Sequence, residues 1–290
     1  MSGKAVIVIT LVVFALFVLF LYSFSSKYND DESLPYSSFE NNNQEFKQNT
    51  DRVEYGNNGN GQNFANSSEL EVDVVNNAAN DKIDNNDANI ANVELQIPTK
   101  LNLAVPFTSQ APLADWGEPY QEACEETAAY MAALYFADYS EAMIDAQKAD
   151  KDIKSIIAFE EKKFGFYEDT TAEQTADLIE KYFNLPTRVL TNPTIDDIKT
   201  ELASGRPVLV PTAGRLLNNP YFSGDGPLYH MLVIRGYDND TYEFIVNDPG
   251  TKRGANYRYK MNVIMEAMGD WNDGDPAQGA KKIILINVER

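Results

Sequence analysis

The chain has 290 residues, with 24 Lys+Arg against 44 Asp+Glu, a formal charge of −20, one Cys and one His. So large an acidic excess argues against sequence-independent binding to nucleic acid, which needs a basic footprint, and no nucleic-acid partner is expected. A lone Cys excludes an intrachain disulfide, and one Cys with one His cannot close a four-ligand zinc site, so no metal or other cofactor is expected.

In chain order, residues 5–22 are apolar and uncharged, and Ser23 and Phe24 extend the run. About 18–20 such residues cross a hydrocarbon core as a helix, and the run is longer than the roughly 7–15 residues of a secretory h-region. Residues 1–27 are therefore expected to be an uncleaved transmembrane signal anchor, giving the chain a membrane partner through its N-terminal helix. Lys4, read as cytoplasmic, puts the remainder outside the cell membrane. Residues 28–96 are rich in Asn, poor in apolar side chains and without a persistent period. That composition cannot offset its ordering entropy and reads as a disordered linker, with a reach of roughly 45 Å as a flexible coil.

Residues 97–290 carry the aromatic and aliphatic residues of one sizeable core. Helices are expected at 122–137, over 141–164 as two helices, from the capping-box pattern Thr171-Ala-Glu-Gln174 to about 183, and over 194–204 with Gly205 as the stop. Strands are expected at 207–212, 229–237, 241–247, 257–260 and 282–287, with a short helix at 263–268. Helices first and an antiparallel sheet afterwards give an α+β class.

Cys124 falls in the expected first turn of the Ala-rich helix, where free N–H groups and the helix dipole favour a thiolate. Glu125 and Glu126 suit a helix start too, although their charges oppose a thiolate. On position alone, Cys124 also reads as a small buried hydrophobe. His230 opens a β-branched strand, and Asp248 ends the strand that returns after the turn at 238–240. A hairpin symmetric about Asn239 puts His230 opposite Asp248, with Cβ atoms about 4.5–5.5 Å apart. Taken singly, His230 reads as a strand histidine bonded to a carbonyl and Asp248 as turn chemistry in Asn-Asp-Pro-Gly. Together, a helix-start thiol, a strand imidazole and a carboxylate suit nucleophilic attack on a carbonyl.

Val105-Pro-Phe-Thr-Ser-Gln110, Trp116 and Glu122-Ala-Cys124 resemble the opening of the bacteriocin-processing-like cysteine peptidases, the C-39-like family of the papain-like clan. The likeness continues in Gly205-Arg-Pro-Val-Leu-Val210, in the segment from Gly226 through His230 to Asp238, and in Phe244-Ile-Val-Asn-Asp248-Pro-Gly. It covers residues 100–290 and implies a bacterial enzyme with a papain-like cysteine peptidase fold and a peptide or protein substrate. It also implies Cys124 as nucleophile, His230 as base and Asp248 as the group that orients it. Gln110 would donate an oxyanion hydrogen bond beside the Cys124 N–H, with Gln121 as a fallback donor. Three features depart from the pattern: Glu125 stands where many relatives have Gly, Gln110 lies about 14 residues before Cys124, and no transporter portion is present. A cell-wall amidase, an acyl or peptidyl transferase and a non-catalytic binding module remain compatible with the same residues. The loop at 218–226 either lines the cleft or only connects strands. Asp270-Trp-Asn-Asp-Gly-Asp275 lacks the spacing and distal Glu of a calcium loop and reads as a polar turn.

Overall fold

A computed structural model of the chain describes residues 96–288. The expected membrane span and the expected linker up to residue 95 lie outside the described residues. Among the described residues, no helix is long and apolar enough to cross a membrane.

Strand β1 (Lys100–Asn102) leads through a 3-10 turn (Tyr120–Glu122) to helix α1 (Cys124–Phe136). Helices α2 (Ala146–Phe164) and α3 (Ala172–Phe183), strand β2 (Thr187–Thr191) and helix α4 (Ile195–Ala203) follow. Then come β3 (Val208–Ala213), β4 (Tyr229–Asp238), β5 (Glu243–Asn247), β6 (Tyr257–Lys260), α5 (Met261–Ala267) and β7 (Lys282–Ile286). The strands form one antiparallel sheet in the order β2-β7-β3-β4-β5-β6, with β1 also paired to β4.

Alternation along the central strands builds two cores, one on each face of the sheet. Leu209, Met231, Val233, Ile284 and Ile286 pack with α1, α2 and α3. Their neighbours Val208, Val210, Leu232, Ile234, Ile283 and Leu285 pack with α4 and α5. Both faces are covered, so β3 and β4 are buried along their whole length. Helix α1 is buried from Cys124 to Tyr135. A helix enclosed on all sides needs small residues for close approach, which accounts for its Ala content.

The two helices expected over 141–164 are one. Residues 142–144 are held instead by Phe107, whose N–H donates to Ala142 O at 3.0 Å and whose carbonyl accepts from Ile144 N–H at 2.9 Å. Asp145 then caps α2 by accepting from the N–H groups of Gln147 and Lys148. The capping box at Thr171 and Gln174 is present as expected. Strands β1 and β2, three and five residues long, were not expected from the sequence.

The β4–β5 hairpin also departs from its expected register. Partner numbers sum to 481 near the turn (Asp238↔Glu243) and to 480 beyond a bulge at Arg235 (Val233↔Asn247). The bulge turns the buried Arg235 guanidinium toward the chain entering from β1. It donates to Val105 O at 2.8 Å and to Leu103 O, while Asn247 Nδ2 donates to Val105 O and Pro106 O at 3.1 and 3.0 Å. A Cβ on Gly236 would lie 2.2 Å from Leu101 O, so only glycine lets this segment cross so close. These contacts carry the segment toward Gln110, whose N–H donates to Pro249 O at 3.0 Å.

Candidate active site

A cleft of about 560 Å³ runs between the start of α1 and the start of β4, with Cys124 and His230 both in its wall. Cys124 is the first residue of α1, so its N–H has no acceptor within the helix. Its sulfur accepts from the N–H of Met231 at 3.4 Å and lies 2.9 Å from Glu125 Oε2. The sole thiol thus sits against the residue that follows the sole imidazole. No hydrogen bond joins Cys124 to His230 among the described residues. Burial pushes the thiol well above its ordinary range, an ionised Glu125 would push it further, and the Met231 N–H opposes.

His230 Nε2 lies 2.8 Å from Asp248 Oδ1. The register alone would put Gly250, not Asp248, level with His230. The pair meets because β5 ends at Asn247 and the chain turns there, with the Gly250 N–H donating to Asp248 Oδ1 at 3.0 Å. A Cβ on Gly250 would stand 2.8 Å from His230 Cε1, so a larger residue would strike the ring. The Phe222 ring meets the imidazole edge-on, centroids 5.4 Å apart, and of the loop at 218–226 Phe222, Ser223 and Gly226 line the cleft while Tyr221 does not. With Nε2 turned to the carboxylate, Nδ1 is the ring nitrogen left for proton transfer.

The Asp248 carboxylate is buried yet fully supplied with donors. Its Oδ2 accepts from Tyr259 OH at 2.7 Å and from Asn219 Nδ2 at 3.0 Å. Burial alone would raise its pKa; the imidazole, the Tyr259 hydroxyl and the Gly250 N–H outweigh burial and hold it below the usual carboxylate range. Asn219 and Tyr259 were not singled out in the sequence. A loop Asn and a strand Tyr carry no local signal, and only the fold brings both to one carboxylate.

Gln110 is buried in the cleft wall, but its amide is committed elsewhere. Nε2 donates to Tyr120 O at 2.8 Å and to Gln121 O at 2.9 Å, and Oε1 has no partner. Exchanging the two ends would set an oxygen against two carbonyls, so the orientation is fixed and no free donor points from Gln110 to the sulfur. The Gln121 side chain also lines the cleft and donates to Glu122 Oε1 at 3.0 Å. Asp270, read as part of a polar turn, is a buried junction: it accepts from Ala172 N–H, Trp271 N–H and Lys282 Nζ at 2.8, 3.0 and 2.9 Å. Among the described residues, no group of three or more His, Cys, Asp or Glu could hold a metal ion.

Residues 102–274 match the model of the Peptidase_C39 like family. Of the solved structures, a C39-like peptidase from Bacillus anthracis is similar over 66% of this chain and 98% of its own, at 19% identity and a TM-score of 0.44. Xylellain, a cysteine protease from Xylella fastidiosa, is similar over 67% of this chain and 88% of its own, at 16% identity and a TM-score of 0.36. No curated protein matches the chain. The family match spans more than half of the sequence, over a helical half that opens on a cysteine and an antiparallel sheet half: the chain belongs to the Peptidase_C39 like family and is a cysteine peptidase with a papain-like fold.

Proposed function

We propose that this peptidase is anchored in the cell membrane by residues 1–27, is tethered through residues 28–96, and hydrolyses peptide bonds outside the cytoplasm with Cys124, His230 and Asp248. His230 Nδ1 takes the thiol proton and the sulfur attacks the scissile carbonyl, forming a tetrahedral oxyanion. The Cys124 N–H donates to that oxyanion, and Gln110 joins it by releasing one of the two carbonyls its amide now holds. Collapse of the intermediate expels the amine, which takes the proton from His230, and leaves a thioester. Water, deprotonated by His230, hydrolyses the thioester and returns the proton to sulfur. Asp248 fixes the ring so that Nδ1 faces the cleft and stabilises the imidazolium between these transfers.

The observation that carries this reading is that the only Cys and the only His of the chain share one cleft wall, with a buried, donor-rich carboxylate behind the imidazole. The test is labelling by a peptide electrophile. Cys124→Ala should take no label, His230→Ala almost none, and Asp248→Asn a reduced amount. Equal labelling of His230→Ala and wild type would defeat the mechanism. For the anchor, protease added to intact spheroplasts should degrade the catalytic domain; full protection would place it on the cytoplasmic side.

A further inference from the structure

Glu125 follows Cys124 in the first turn of α1, where an acidic side chain usually faces water. Here it is only 1% exposed and lies in the cleft wall. Its Oε1 accepts from the Thr170 N–H at 3.1 Å, and its Oε2 lies 2.9 Å from the Cys124 sulfur. We propose that Glu125 is a further catalytic residue, a neutral carboxylic acid whose Oε2–H donates to the Cys124 sulfur and stabilises the thiolate that His230 generates. This rests on the Cys124–His230 reading above.

The charges around the group decide its protonation state. Facing it are Cys124 and Glu126 from its own helix, Glu160 from α2, Asp169 from the chain between α2 and α3, and Tyr229 from β4. None is a cation. An ionised Glu125 would be a buried charge among like charges, and burial first and Glu126 next push its carboxyl well above the usual range. The position of the proton follows from the hydrogen bonds. Oε1 receives an N–H and is the carbonyl oxygen, so the hydroxyl is Oε2, the oxygen turned to sulfur.

The sulfur then sits between two donors, the Glu125 O–H and the Met231 N–H. When His230 takes the thiol proton, negative charge develops at an atom that already has both, in a site of low dielectric. The Glu125 proton stays on Oε2 throughout. Once alkaline pH removes it, the carboxylate repels the thiolate, which takes its proton back from the His230 imidazolium and, as a thiol, donates to Oε2. An ordinary thiol reacts faster with alkylating agents as pH rises, up to a plateau. Cys124 should instead reach a maximum and decline.

The chain has one Cys, so iodoacetamide incorporation into the full-length protein reads Cys124 alone. Its rate is measured against pH for wild type, Glu125→Gln, Glu125→Ala and His230→Ala. Gln retains a donor toward sulfur and cannot ionise. Glu125→Gln should react within about threefold of wild type at neutral pH and show no alkaline decline. Glu125→Ala should react about tenfold slower or more, the scale of a lost hydrogen bond to a charged group. A tenfold gain in Glu125→Gln at neutral pH would overturn the proposal by showing that an ionised Glu125 restrains the thiol. An alkaline decline persisting in Glu125→Gln would overturn it too, and that comparison stands even if the Ala variant does not fold. A His230→Ala profile identical to wild type would defeat the underlying Cys–His reading alone, leaving the two Glu125 variants to be judged on their own.

Discussion

Asp248 and Glu125 are both carboxyls removed from water, one against the imidazole and the other against the sulfur, and their affinities for a proton move in opposite directions. Desolvation acts on both alike and favours the neutral acid. The difference lies in the neighbours. Asp248 collects His230, Gly250 N–H, Asn219 and Tyr259, and Glu125 has one N–H, the thiol and a ring of acids. The number and sign of the groups around a buried acid therefore decide its charge, and burial only raises the stakes.

The largest effect should come from removing the donor-rich acid. Asp248→Ala leaves the ring unoriented and strands the donors of Asn219 and Tyr259 in the interior. Peptide hydrolysis should fall about a hundredfold or more, with stability lower by roughly 3–5 kcal/mol in urea titrations. Asp248→Asn keeps an acceptor oxygen and the shape, so it should cost only part of each. If Asp248→Ala were as active and as stable as wild type, the contrast with Glu125 would have no functional meaning.

Much of this site was legible in the sequence for reasons that can be traced to residues. Cys124 and His230 are the only residues of their kinds, and the composition around them reported a helix start and a strand start. The pairing of His230 with Asp248 was reached through a register that the structure does not have. The bulge at Arg235 and the longer turn shift the strands by two or three positions, and the turn at Asp248-Pro249-Gly250 brings the carboxylate back. Side-chain alternation reports the face of a strand, but a bulge has no local signature in this sequence. Glu125 posed the opposite difficulty. Its helix-start position predicts a solvated acid, and only the fold, which sets Thr170, Glu160 of α2 and Tyr229 of β4 around it, buries it. The strands that went unrecognised, β1 and β2, are too short for a period to register.

A smaller effect separates the two kinds of acid by pH. Asp248 has its pKa lowered on folding, so the stability it provides is present above the unfolded value near 3.9 and is lost as pH falls through the folded one. Glu126 and Glu160 are both fully buried, and none of their four oxygens has a donor from any other residue. Burial raises both, Glu126 well above the usual carboxylate range and Glu160 to about 8, so both acids keep their protons in the fold beyond the pH at which the unfolded chain loses them. Below about pH 4.3 the folded and unfolded chains are equally protonated at this pair. Above it the unfolded chain ionises first, and stability falls by about 1.4 kcal/mol per pH unit for each retained proton until the folded pair ionises. Glu160→Gln should make this alkaline slope shallower by the share of one proton in urea titrations between pH 5 and 8, Glu126 and Glu125 keeping theirs, and leave the acid limb unchanged. Asp248→Asn should do the reverse. Parallel slopes in wild type and Glu160→Gln would show that the pair is already ionised.

Tyr259→Phe tests the donor side on a finer scale. It removes one hydroxyl from Asp248 Oδ2 and leaves Asn219 in place. The loss should be about 1–2 kcal/mol of stability, with hydrolysis reduced only a few fold. Its acid limb should shift upward, because the hydroxyl helps to keep the carboxylate ionised. An unchanged acid limb would assign that ionisation to His230, the Gly250 N–H and Asn219.

The smallest effect is expected at Thr171, one residue after the N–H that holds Glu125. Its hydroxyl accepts from the Gln174 N–H at 3.3 Å, and Gln174 Oε1 accepts from the Thr171 N–H at 2.9 Å. Thr171→Ala should cost about 1 kcal/mol, the ordinary value of a helix cap. The Thr170 N–H is also kept in place by Asp270, which receives the N–H of Ala172 from the other side of the cap. With that anchor intact, iodoacetamide should alkylate Cys124 at the wild-type rate. If the rate instead drops with the cap, the acid at 125 depends on the packing of α3 rather than on a single N–H. The protonated side of the contrast would then be a property of the whole 168–174 segment.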